Sequence, residues 1–249
     1  MSPTLPMPSA DNKGGMSSQG QAIGAAPARS QTTAPVSEDA ALALLKRMDT
    51  SADVLEQLSK GAESANSPKV RLRIAAHPRT PRRVSLPLLR HLFTFQLMEV
   101  ALAPAVPGDV RVAAEENLIR RLETIPSGER ISLARRASGR VAAALLLDAE
   151  PRVMETALEN SRLTEAAVVK TLLQGDASAG LVQAICRHPK WSLRREVRFA
   201  LLCNANTPLA QAVEFARGLR PAAVAEILQS SNLPATVKAA LRSEAEGRS

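Results

Sequence analysis

A helix opening of the same composition recurs five times in this chain, each time anchored by a valine. The anchors are Val70, Val110, Val153, Val197 and Val237, and successive anchors are 40, 43, 44 and 40 residues apart. Repeats of about 40 to 47 residues are typical of stacked helical hairpins, because one hairpin cannot bury its apolar face alone. The spacing therefore predicts an all-α fold, a right-handed α-solenoid of about five helical hairpins.

The repeat also extends over a longer range. Residues 70–113 align without a gap on residues 197–240 at a constant offset of 127 residues. Val70 then falls on Val197, and Thr80-Pro81 falls on Thr207-Pro208. The matching positions are helix starters and expected core residues, so the offset supports helices at equivalent places.

Composition divides the chain into four parts. Residues 1–36 are rich in Ser, Pro, Gly, Ala, Gln and Thr and are predicted to be a disordered tail. Residues 37–66 begin with a capping Ser and are predicted to form the capping helices of the stack. The repeats then occupy residues 67–244, and residues 245–249 are a C-terminal tail. Within the first repeat, Pro87 predicts a kink or a late start in the helix that follows Pro81.

The predicted core is aliphatic, because hydrophobic residues make up 45% of the chain and aromatic residues only 2%, with one Trp and no Tyr. The net charge of +8 permits attraction to nucleic acid or to acidic proteins. Cys186 and Cys203, the two cysteines, lie in aliphatic runs and are interpreted as buried thiols. No metal site and no cofactor are predicted.

The start of the chain lacks the basic and apolar stretches of a secretory signal, and no run of about 18 apolar residues occurs. We therefore predict a cytoplasmic protein without a membrane span.

Several helix openings resemble those of HEAT repeats, in which Asp or Pro precedes a Val-Arg pair. They are Ser67-Pro68-Lys69-Val70-Arg71, Asp109-Val110-Arg111 and Asp148-Ala149-Glu150-Pro151-Arg152-Val153. The corners at residues 77–81 and 204–208 resemble those of the leucine-rich repeat variant family, a bacterial relative of the same solenoid class. The resemblance covers residues 66–243 and implies scaffolds, adaptors or occasional nucleic-acid binders. The iron-sulfur cluster known in the variant family is not implied, since no Cys precedes Cys186.

The residue after the anchoring valine is basic in four repeats: Arg71, Arg111, Arg198 and Lys238. Equivalent positions of a solenoid line up, so these residues are candidates for a basic ladder facing phosphates or an acidic partner. The favoured alternative follows from the HEAT resemblance, which implies that each Arg pairs with an acid of the neighbouring repeat. Asp109 and Asp148 occupy the expected positions of that acid.

A second candidate is the basic and aromatic patch within residues 187–198. Its members are Arg187, Lys190, Trp191, Arg194, Arg195 and Arg198. A Trp among guanidinium groups at a helix start can stack on a base while the Arg residues hold phosphate. Alternatively, Trp191 is a plug between helices and the Arg residues form a solvated face. We favour the plug.

Catalytic motifs are missing from the sequence. It contains no Gly-rich phosphate loop, no HExxH and no nucleophile elbow, and only three His. No catalytic residue is therefore assigned, and the chain is predicted not to be an enzyme. The predicted function is a scaffold that holds a protein or peptide, with nucleic-acid binding through the 187–198 patch as the alternative. A helical-repeat DNA glycosylase is a third and remote alternative.

Overall fold

The fold consists of helices joined by tight corners. The structure, a computed structural model, describes residues 36–61, 66–231 and 233–247, and the described residues form fifteen α-helices, a short 3₁₀ turn and no strand. The first eight helices are α1 (Glu38–Leu45), α2 (Ala52–Lys60), α3 (Pro68–Ala76), α4 (Arg82–Leu89), α5 (Thr94–Leu102), α6 (Gly108–Arg121), α7 (Ser127–Arg136) and α8 (Gly139–Leu145). The other seven are α9 (Pro151–Leu158), α10 (Glu165–Leu173), α11 (Ala179–Arg187), α12 (Arg195–Cys203), α13 (Leu209–Arg217), α14 (Pro221–Ser230) and α15 (Ala235–Glu246). The all-α prediction is confirmed for these residues.

Two kinds of residue start the helices. A Ser or Thr side chain accepts a hydrogen bond from the third helical N–H at six N-termini, which satisfies a donor that the helix leaves unpaired. These capping residues are Ser37, Ser51, Ser67, Ser138, Thr164 and Ser178. Proline stands at the N-cap or the first position of eight further or overlapping starts, where its missing N–H costs nothing: Pro68, Pro81, Pro107, Pro126, Pro151, Pro208, Pro221 and Pro234.

Pro87 lies inside α4 and limits its length. The helix begins at Arg82, directly after Pro81, and ends at Leu89, two residues beyond the proline. Beyond it the N–H groups of residues 90, 91 and 92 bond to carbonyls three residues back, in a tight final turn. The helix therefore starts without delay after Pro81. Pro87 acts at the other end, because a proline inside a helix removes a backbone donor and its ring clashes with the preceding turn.

The 127-residue offset joins helices that begin at matching positions. α3, α4, α5 and α6 start at residues 68, 82, 94 and 108, and α12, α13, α14 and α15 start at residues 195, 209, 221 and 235. The corners match as well: the Thr80 hydroxyl donates to the Ile74 carbonyl, and the Thr207 hydroxyl donates to the Leu201 carbonyl, both at 2.6 Å. The sequence repeat therefore corresponds to repeated local structure.

Contacts between helices are local in sequence. Within the described residues, every pair of helices with substantial contact is adjacent or next but one in the chain. Helices two apart, such as α7 and α9, α9 and α11, or α10 and α12, lie side by side. We call the odd-numbered helices, from α1 to α15, the odd set and the even-numbered helices, from α2 to α14, the even set.

All five anchoring valines are buried, as an anchoring role requires. They lie on α3, α6, α9, α12 and α15, which is every third helix. Since neighbouring helices alternate between the two sets, successive anchors also alternate between the odd and the even set. Each interval between anchors therefore contains three helices, where the sequence predicted one hairpin of two.

The core is a continuous aliphatic cluster from Leu72 to Leu241, with a smaller cluster beneath the first two helices. Helix α3 belongs to both, because Leu72 faces the main cluster whereas Val70 and Ile74 face α1 and α2. The predicted disordered tail, residues 1–36, lies outside the described residues except for Val36. The last helix ends at Glu246. No helix among the described residues combines the length and the apolar character needed to cross a bilayer.

Candidate functional site

The corner after α11 buries the only tryptophan of the chain. Trp191 is 1% exposed, and its indole N–H donates to the carbonyl of Leu158, the last residue of α9, at 2.9 Å. The Lys190 ammonium lies over the face of the ring, 3.9 Å from its centroid. The ring therefore fills the space between α9 and the corner, as the plug interpretation predicts, and offers no free face to a base.

The other members of the predicted patch point in different directions. Arg187, at the end of α11, lines a groove between α9 and α11. Arg194 lies 4.0 Å from Glu165 at the start of α10, and Arg195 is exposed at the start of α12. Arg198 donates to the Ser192 carbonyl at 2.5 Å, and its guanidinium lies 5.3 Å from the Phe215 ring centroid. These residues come from the end of α11, the corner that follows it and the start of α12, and Lys190 lies against Trp191.

The four residues of the predicted basic ladder are divided between odd-numbered and even-numbered helices. Arg71 and Lys238 belong to α3 and α15 of the odd set, whereas Arg111 and Arg198 belong to α6 and α12 of the even set. Arg71 donates to the backbone carbonyl of Asn66 at 2.9 Å, as Arg198 does to Ser192, so these two side chains fold back over their own helix starts.

The expected pairing of the ladder with acids is wrong. Asp109 pairs with Arg82 at 2.7 Å, and Asp148 pairs with Arg130 at 2.8 Å. Successive valine anchors alternate between the two sets of helices. The Arg that follows one valine therefore does not face the Asp that precedes the next valine.

At three corners a polar side chain binds the end of one helix to the end of the helix two before it. Asn160, after α9, donates to the carbonyls of Ala134 and Ala137 at the end of α7, at 2.7 and 3.2 Å. Asn204, after α12, donates to Leu172 of α10 at 3.0 Å. The His77 ring makes the equivalent bond to the Arg47 carbonyl at 3.0 Å. These buried corner side chains act as structural clamps between helices.

His188 occupies the corner position after α11. Its Nδ1 accepts the Lys190 N–H at 3.1 Å, so the neutral ring carries its proton on Nε2, which lies 3.1 Å from Glu159. The buried imidazole therefore lies between the backbone of its own corner and the Glu159 carboxylate at the end of α9.

Charged side chains also connect helices two apart. Glu56 of α2 accepts from Arg83 of α4 at 2.7 Å, and Arg140 of α8 reaches Glu115 and Glu116 of α6 at 3.8 and 3.1 Å. Arg217 of α13 pairs with Glu244 of α15 at 3.0 Å. These arginines therefore form ion pairs between helices, as exposed charged residues with a structural role commonly do.

Three grooves follow one another along the odd set. They lie between α1 and α3, between α5 and α7, and between α9 and α11, with volumes of about 740, 480 and 640 Å³. Their floors are formed mainly by Leu, Met, Ala and Phe side chains, among them Leu72, Met98 and Met154. Arg and Lys at the rims alternate with a few acids. Such an apolar floor with polar edges suits the side chains of a bound polypeptide.

The two thiols are poor nucleophiles. Burial raises the pKa of Cys186 to about 11, and burial together with the charge of Glu226 raises the pKa of Cys203. Neither is in a disulfide. Within the described ranges, no three His, Cys, Asp or Glu side chains come together in a group that would hold a metal ion.

The grooves could not be found from the sequence, because each is made by helices about 30 residues apart whose lining positions look like ordinary amphipathic surface. The one signal was the exposure of large apolar residues near basic ones, as at Met48 and Lys46, and single exposed apolar residues are common. Comparison of the chain with protein-family models, with curated proteins and with solved structures found no match.

Proposed function

We propose that this protein is a non-enzymatic scaffold that holds a segment of a partner protein along its odd set of helices. The observation that carries the proposal is the series of three grooves between successive helices of that set. Each groove combines an apolar floor with charged rims, the arrangement by which helical repeats bind peptides. The corner hydrogen bonds supply the rigidity that such a surface needs.

The architecture within this proposal is a right-handed, HEAT-like α-solenoid. Its support is the restriction of substantial contacts to helices one or two apart, since in a solenoid each unit touches only its neighbours. The contacts favour a unit of two helices, which gives seven hairpins and a final helix in place of the five hairpins expected from the valine spacing. The gapless 127-residue offset then relates an odd helix to an even one.

Nucleic-acid binding is the alternative function. It is supported by exposed Arg187, Lys190 and Arg195, which have no acid within 4 Å among the described residues. It is weakened by the burial of Trp191 and by the inward direction of Arg198. Glycosylase chemistry gains no support from any described side chain, and we propose no catalytic residue.

The test is selection of binders from a random 16-residue peptide library by the full chain, followed by fluorescence anisotropy of the enriched peptides. We expect micromolar binding. For each enriched peptide, one of three substitutions of exposed residues, each in a different groove, should abolish binding: Ala43→Trp, Phe95→Asp or Gln183→Trp. The matched control is Ala222→Trp, an exposed position on α14 of the even set. Enriched peptides that bind all variants equally would exclude the grooves.

The same anisotropy measurement separates the alternative. Labelled DNA and RNA are titrated with the chain at about 50 and 200 mM salt, where phosphate binding weakens steeply because counterions are released. Salt-sensitive nucleic-acid binding without any enriched peptide would reject the scaffold in favour of the nucleic-acid binder.

A further inference from the structure

The groove between α1 and α3 differs from the other two in its charge. It is lined by Lys46, Lys69 and Arg73 and by one acid, Asp39. In the groove between α9 and α11, Arg135 and Arg187 are balanced by Glu155 and Glu159, and between α5 and α7 Arg136 is balanced by Glu99. The first groove alone among the three therefore has more cations than carboxylates.

Two of the three cations of this groove, Lys46 and Lys69, are not paired with a carboxylate among the described residues. Arg73 lies 3.7 Å from Glu99 of α5, but neither Lys46 nor Lys69 has a carboxylate within 4 Å among the described residues. Asp39 stands in the first turn of α1, where the helix dipole already favours an acid. Two exposed ammonium groups thus stand beside the groove and are available to a ligand of opposite charge.

The floor of the same groove is apolar and adaptable. Leu42 and Leu72 lie along it, Ala43 and Ala105 leave space above it, and Met48 is 59% exposed at its end. An unbranched Met at the edge of a groove adjusts to side chains of different shape. The volume of about 740 Å³ is in the range of sites that enclose a ligand.

We infer that the α1/α3 groove binds an acidic amphipathic protein segment, whose large apolar side chains enter the groove while its Asp or Glu residues meet Lys46 and Lys69. This inference rests on the proposed scaffold function and names the partner's chemistry at one of its three grooves. The N-terminal residues 1–35 do not fit as the occupant by charge, because they contain Asp11 against Lys13 and Arg29. A second copy of this chain, with a net charge of +8, is also a poor match.

The experiment uses the most enriched peptide from the library and its counterpart with every Asp and Glu replaced by the amide. Binding of both to the full chain is measured by anisotropy at low salt. We expect the enriched sequence to carry acids beside Leu, Phe or Trp, and the amide counterpart to bind about tenfold more weakly. Lys46→Glu/Lys69→Glu should weaken the acidic peptide by about the same factor, since two exposed charge attractions are lost.

The control is Lys170→Glu/Arg220→Glu, which changes the net charge equally. Lys170 lies in the last turn of α10 and Arg220 is the N-cap of α14, so they match Lys46 at the end of α1 and Lys69 at the start of α3. All four side chains are exposed, and circular dichroism checks that each variant is folded.

Each outcome decides the inference. Loss of binding in the Lys46/Lys69 variant alone supports it. If both double variants lose binding equally, the effect is one of general charge. If Gln183→Trp, which fills the α9/α11 groove, abolishes binding, the site lies in that groove. Both results overturn the inference and leave the scaffold function standing. A wild-type dimer that Ala43→Trp dissociates would make the occupant a second copy, and failure to enrich any peptide would remove the scaffold function itself.

Discussion

At the scale of single residues, close approach of backbones decides which positions tolerate a side chain. Gly139 begins α8 directly against the corner after α9, and a Cβ built there would lie 2.2 Å from the Arg162 carbonyl oxygen. Gly180, in the first turn of α11, has nothing closer than 3.8 Å to such a Cβ. The two glycines look alike in the sequence, and only their surroundings distinguish them.

Gly139→Ala should therefore lower the free energy of unfolding by about 2 kcal/mol, because backbone must move to admit the methyl group. Gly180→Ala should leave it unchanged or raise it by up to about 1 kcal/mol through helix propensity. Urea titrations followed by circular dichroism measure both. Equal effects of the two substitutions would contradict the close approach.

The buried Trp191 gives a second prediction at this scale. Its fluorescence should be almost insensitive to acrylamide in the native protein and become strongly quenched after unfolding in urea, because the ring is enclosed. Adding DNA should not change the quenching. Efficient quenching of the native protein that DNA suppresses would instead indicate an exposed ring that stacks on bases.

At the scale of helices and corners, stability comes from bonds between elements two apart. Asn160→Ala removes the two hydrogen bonds that the side-chain amide donates to carbonyls at the end of α7, and leaves those buried carbonyls without their partner. It also removes the oxygen that accepts the Arg162 N–H. We expect a loss of about 2 to 3 kcal/mol in unfolding free energy. Asn206→Ala, at an exposed corner position with a single side-chain donation to Ala177, should cost less than about 1 kcal/mol. Chemical denaturation compares the two, and similar losses would argue against the clamp.

The ion pair between α2 and α4 predicts a dependence on pH. The hydrogen bond from Arg83, and to a lesser extent that from Lys60, lowers the pKa of Glu56 from 4.5 to about 2. The folded state binds a proton at Glu56 less readily than the unfolded state does. The pair's contribution to the free energy of unfolding is therefore complete above pH 4.5 and is lost as the pH falls towards 2. Glu56→Gln should flatten this part of the profile of melting temperature against pH. High salt should weaken the difference, and an unchanged profile would show that the pair adds nothing to stability.

At the scale of the whole molecule, contacts restricted to near neighbours mean that cohesion is lowest at the ends. The first two helices rest on a small separate cluster shared with α3, whereas α8, α9 and α10 have helices packed on both sides. Hydrogen exchange followed by mass spectrometry should therefore find the fastest exchange in α1, α2 and α15 and the slowest in α8 to α10. Uniform protection along the chain would indicate a single cooperative globule.

The sequence by itself determined that the chain is helical and where many of its helices begin. Ser, Thr and Pro at helix starts, buried valine anchors and the 127-residue offset specify helix positions, because these are local effects of capping and of side-chain periodicity. The tertiary structure alone decided which helices lie side by side, that the anchors alternate between two sets, and that Arg198 and Trp191 serve the fold. It also decided where the grooves lie, since each is formed by residues about 30 positions apart, and no local pattern records which helix a given side chain will face.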